Sequence, residues 1–69
     1  MIKIEVDCNS DEINVIDEKG HTICSTKVTH PNKYITLFQQ IFDKLNSNTT
    51  LGVQLVQIDE NRTKNFGEW

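Results

Sequence analysis

The chain has 69 residues, 36% of them hydrophobic and 25% charged, with a formal net charge of −3. That length leaves no room for a second hydrophobic core, and the composition, with its patterned apolar residues, is that of a globular and not a disordered chain. No apolar run approaches the ~20 residues of a membrane span, and Met1-Ile2-Lys3-Ile4-Glu5 alternates instead of forming the apolar stretch of a signal peptide, so a cytoplasmic protein is expected.

A chain this short buries roughly 60% of the surface its unfolded form exposes, so a partner or a second copy is expected to contribute to stability. Cys8 and Cys24 are read as a reduced pair. The sequence has no alanine and is heavy in Ile, Asn and Lys. Their codons are AT-rich, which points to a low-GC bacterium or one of its phages.

Taken in chain order, Ile2, Ile4, Val6 and Cys8 alternate with Lys3, Glu5 and Asp7, the two-residue period of a half-buried strand. Asn9-Ser10-Asp11 supplies turn chemistry, and a second strand follows from Ile13 to Ile16. Asp17-Glu18-Lys19-Gly20 is a second turn, in which Gly20 can take a positive φ. A third strand is expected over His21 to Val28; its inward face is ambiguous, because Ile23 is out of phase with Cys24 and Val28.

Pro31 suits the first turn of a helix, where its missing N–H would have no partner. Tyr34, Leu37, Phe38, Ile41, Phe42 and Leu45 recur at spacings of three and four, with Ile35 widening the stripe, and predict a helix that buries this face. Asn46-Ser47-Asn48 ends it. A last strand is expected from Thr50 to Ile58, with a slip in phase between Leu55 and Val56 that predicts a bulge or a strand covered on both faces. Residues 59–69 read as a polar tail.

The order βββαβ predicts one small α+β domain over residues 1–69. Its sheet is mainly antiparallel with strand order 4-1-2-3, and one helix is packed on one face. The other face is then uncovered, and homodimerisation is expected to close it.

No catalytic residues emerge, because no thiol, hydroxyl or carboxylate stands in a recognisable arrangement with a base. Gly20, Gly52 and Gly67 are too far apart for a phosphate loop. Cys8, His21, Cys24 and His30 have no paired ligand spacing, so no metal and no cofactor is expected. A disulfide between Cys8 and Cys24 is disfavoured because an intervening strand would hold the two backbones about 10 Å apart.

Charge is uneven. Glu5, Asp7, Asp11, Glu12, Asp17 and Glu18 face only Lys3 and Lys19 within the first twenty residues. This argues against nucleic acid and fits a basic protein partner. With Phe66 and Trp69, whose aromatic rings in a polar tail must dock on the domain or on another protein, these six acids are the candidate partner-binding residues. The expected function is that of a small non-enzymatic binding protein, phage or mobile-element encoded, that binds a larger protein and inhibits or regulates it. The alternatives are a nucleic-acid-binding protein using Arg62 and Lys64, and a self-assembling structural subunit.

Overall fold

Two-residue alternation builds the sheet and a three-four repeat builds the helix. The computed structural model describes residues 1–69, with β1 (Ile2–Asp7), β2 (Glu12–Ile16), β3 (Thr22–Lys27), α1 (Asn32–Leu45), β4 (Val53–Asp59) and β5 (Arg62–Glu68). The strands form one mixed sheet in the order β3-β2-β1-β4-β5. The class is α+β with a single helix. The sheet has five strands, which corrects the four-stranded 4-1-2-3 order expected from the sequence. The difference is the polar tail, which pairs antiparallel with β4 along Arg62–Glu68.

The tail is a strand because Glu60 and Asn61 form a two-residue connection with φ of 46° and 65°. Positive φ at both central residues matches the right-handed twist of a hairpin. β1 and β4 are the central pair and run parallel, with Ile4 beside Leu55 and Val6 beside Gln57.

Turn chemistry fixes the other connections. Asp7 Oδ1 accepts from the backbone N–H of Asn9 at 2.9 Å and of Ser10 at 3.2 Å. Asp17 Oδ1 accepts from the N–H groups of Lys19 and His21, each at 2.9 Å. Gly20, at φ +88°, completes that turn. The ambiguity in β3 resolves into a bulge: Val15 faces Cys24 while Ile16 faces Thr22, leaving Ile23 as the extra residue. The phase slip in β4 is not a bulge of β4, which pairs with β1 without interruption; Leu55 and Val56 are buried on opposite faces, and the register shift beside them lies in β5. Leu55 faces Gly67 and Val56 faces Asn65, so the extra residue is Phe66 on the partner strand.

The core lies between α1 and the sheet, where Val6, Ile13, Ile35, Phe42 and Leu55 are buried. Val6 and Leu55 are 0% exposed; complete burial of such a side chain contributes about 1.5–3 kcal/mol. Val56 is also buried, on the strand position next to Leu55, so the centre of β4 is shielded on both sides. Pro31 stands immediately before α1, and the Asn46 N–H closes the other end on the Phe42 carbonyl at 2.8 Å.

The face away from the helix carries Lys3, Glu5, Glu12, Asn14, Ser25 and Lys27 beside Ile16, Val56 and Ile58. On it, Ser25 Oγ contacts Asn14 Oδ1 at 2.6 Å and Lys3 Nζ lies 3.3 Å from Glu5. The face is therefore mixed, mainly polar over β1–β3 and with Val56 buried at its β4 side.

Candidate functional site

The six N-terminal acids do not form one patch. Asp7, Asp11 and Glu12 sit at the β1–β2 turn, whereas Asp17 and Glu18 sit at the opposite end of β2. Most have work to do within the fold. Asp7 and Asp17 hold the two turns, Glu5 pairs with Lys3, and Glu12 lies 4.0 Å from Lys27 and 3.2 Å from Ser25 Oγ. Glu18 lies 3.4 Å from the N-terminal ammonium. Asp11 is exposed at a φ of 54° within its turn.

Phe66 and Trp69 are docked on the domain itself. Trp69 continues β5 past its last paired residue: its N–H donates to the Val53 carbonyl at 2.9 Å, and its carbonyl accepts from Gly52 at 2.7 Å. Its ring centroid is 5.3 Å from that of Phe42, and its Nε1 donates to Asp43 Oδ1 at 2.6 Å. Phe66 packs against the edge of the same core and carries Lys64 Nζ 4.9 Å from its ring centroid.

Both thiols are free. The Cys8 thiol donates to Asn32 Oδ1 at 3.0 Å, and Gln57 Nε2 donates to the same oxygen at 2.9 Å. This small cluster ties the end of β1, the middle of β4 and the first turn of α1 together. No group of three or more His, Cys, Asp or Glu side chains converges to hold a metal ion. Arg62 and Lys64 line a polar depression of about 230 Å³ together with Asp59 and Glu60, so their charge is offset locally.

The helix departs from expectation. Leu37, Ile41 and Leu45, read from the sequence as part of the buried stripe, are 45%, 39% and 55% exposed. The reason is geometric. At about 100° per residue, the apolar positions from Ile35 round to Leu37 cover an arc of about 160°, wider than the face one sheet can bury. Ile35 and Phe42 take the inward direction, and Asp43 turns to the flank where Trp69 sits, on the β5 side. Leu45 and Ile41 therefore lie on the opposite flank, toward β2 and β3, and Leu37 points almost directly away from the sheet.

Cover thins out across that half of the sheet: β2 is buried or half-buried, with Ile13 in the core, whereas β3 lies open. α1 packs over β1 and β4, and β3 is exposed along its whole length. Val15 pairs with exposed Cys24, and buried Ile13 pairs with exposed Thr26, so exposure begins at β3. At the N-terminal end of the flank, Thr29, His30, Lys33, Tyr34 and Leu37 line a depression of about 310 Å³. The sequence signal for this site was the excess width of the apolar stripe.

No helix is long and apolar enough to cross a membrane. No protein-family model, curated protein or solved structure matches the chain.

Proposed function

We propose that this chain is a small binding protein that docks on a larger protein and regulates it, acting by contact and not by catalysis. The observation that carries the reading is the grouped exposure of Leu37, Ile41 and Leu45 on α1, together with the exposed strand β3. Apolar side chains grouped in this way cost free energy in water, and grouped exposure marks an interaction surface. The acidic residues at the two ends of β2 then serve mainly to build turns and keep the chain soluble.

A photoreactive phenylalanine analogue placed at position 41 tests the reading, with the same analogue at Thr63 on the other face of the sheet as reference. In a lysate of a low-GC bacterium, the expected result is a protein adduct at position 41 that excess unmodified chain suppresses. No saturable adduct at either position overturns the reading, and adducts confined to position 63 overturn the surface that carries it.

A further inference from the structure

We propose that β5 is exchangeable between two copies of this chain: β5 and Trp69 of each copy seat on β4 of the other, and Glu60-Asn61 is the hinge that opens. The inference does not depend on the docking reading above.

The hinge supplies the first reason. Four non-glycine residues hold a positive φ, and three of them, Asp11, His30 and Asn61, are of types that enter this region readily. Glu60, at 46°, is not. A two-residue hairpin turn favours Asn-Gly at this place, so Glu60 carries strain that an extended hinge releases. Short connections under strain favour exchange of the element they join over its closure within one copy. One hydrogen bond opposes the opening, from Glu60 N–H to Asn9 Oδ1 at 3.0 Å.

The seat supplies the second reason. Along the edge of β4 lie the backbone groups that β5 pairs with, beside the buried Leu55 and Val56. An empty seat would bring these to water, so a departed β5 must be replaced. The occupant that fits is the one the fold already shows, a strand whose Phe66 and Trp69 pack on the core and whose indole donates to Asp43. The strand that leaves is itself polar, with Arg62, Thr63, Lys64 and Asn65 exposed. No ion pair ties residues 59–69 to the rest of the chain.

Register supplies the third. Ile58 pairs with Thr63 and Asp59 with Arg62. If β4 and β5 run on as one strand, the same register places Glu60 opposite Asn61 of the second copy, and Asn61 opposite its Glu60. The ladder then passes through both hinges without a gap, and every contact between β4 and β5 is kept.

The full chain is unfolded in urea, refolded at millimolar or at micromolar concentration, and followed by sedimentation. In a second preparation Cys8→Ser and Cys24→Ser remove the native thiols, and Ile58→Cys with Thr63→Cys places a new pair across β4 and β5. The Ile58 carbonyl accepts from Cys8 on the β1 side. Ile58 and Thr63 are therefore a non-hydrogen-bonded pair, with Cα atoms about 4.5 Å apart and within disulfide reach. Refolding at millimolar concentration is expected to give dimers that survive dilution, because they part only by unfolding. Oxidation then joins the two chains covalently, whereas chains refolded at micromolar concentration close the bridge internally. Glu60→Pro, which sets φ at about −65° and forbids the closed turn, should bring dimers down to micromolar concentration. Glu60→Asn combined with Asn61→Gly relieves the turn and should cut the dimer share at least about fivefold.

Monomers alone after refolding at millimolar concentration overturn the proposal. Dimers that fall apart at once on dilution overturn it too, as do dimers whose bridges all close within one chain. A dimer share that Glu60→Asn with Asn61→Gly leaves unchanged overturns the role of the hinge.

Discussion

The indole of Trp69 bridges the two layers of the fold: its ring lies 5.3 Å from Phe42 while its Nε1 donates to Asp43 Oδ1 across 2.6 Å. Trp69 is also the only tryptophan, so its fluorescence reports the contact. The isolated protein is expected to emit at shorter wavelength than the urea-unfolded chain. Phe66→Ala combined with Trp69→Ala should lower the melting temperature by several degrees, since about 1 kcal/mol corresponds to roughly 4–8 °C in a domain this size. An unchanged melting temperature with a fully exposed emission spectrum would show that the rings are not docked.

Leu55 and Leu37 are the same residue type in opposite circumstances. Leu55→Ala opens a cavity at a fully buried position and is expected to cost about 2–5 kcal/mol. That is a large part of the roughly 3–10 kcal/mol available to a chain of this length. Leu37→Ala should stay within about 0.5 kcal/mol of the parent. Urea melts of the two variants measure the contrast, and equal losses would contradict the placement of the helix.

The acids separate by role. Asp17 holds two backbone N–H groups of the β2–β3 turn, and Asp17→Ala should cost about 1 kcal/mol. Glu18, a neighbour whose side chain is 76% exposed, holds only the chain's own N-terminal ammonium. Glu18→Ala should leave the melting temperature where it was. Similar losses from both changes would mean that charge density, and not turn geometry, is what these residues contribute.

Gly67 sits at φ +135°, and a Cβ there would stand 3.4 Å from the Trp69 ring. Gly67→Ala is therefore expected to destabilise by about 1–3 kcal/mol and to shift Trp69 emission toward the red. A variant with parental stability and spectrum would refute this account of how the bulge places the indole.

Much of the fold was legible because the local signals agreed with one another. The first strand alternates cleanly, Asn9-Ser10-Asp11 and Asp17 to Gly20 are turn formers, and Pro31 marks the helix start. β5 was missed because Arg62, Thr63, Lys64 and Asn65 show no apolar alternation. An edge strand with polar residues on both faces carries no such pattern, and its one cue was the pair Glu60-Asn61 in a hairpin position. The exposed flank of α1 was hidden for the converse reason. Leu37, Ile41 and Leu45 satisfy helical periodicity, and periodicity does not record how much of a helix a sheet can cover. The six acids looked like one cluster because they are close in sequence; the length of β2 separates them.

The parallel pairing of β1 with β4 sets how this chain must fold. It joins Ile2 to Val53 and Asp7 to Ile58, and the Glu60 N–H reaches Asn9 Oδ1 across 51 residues of sequence at 3.0 Å. The β1–β2–β3 meander and the β4–β5 hairpin can each begin locally, but Val6 and Leu55, the two fully buried side chains, come from different halves. Neither half encloses a core until the long loop between them has closed, and that closure is the entropically costly step. Amides of β1 and β4 should accordingly exchange with solvent only when the whole molecule opens, and no stable half-folded form should accumulate on the way.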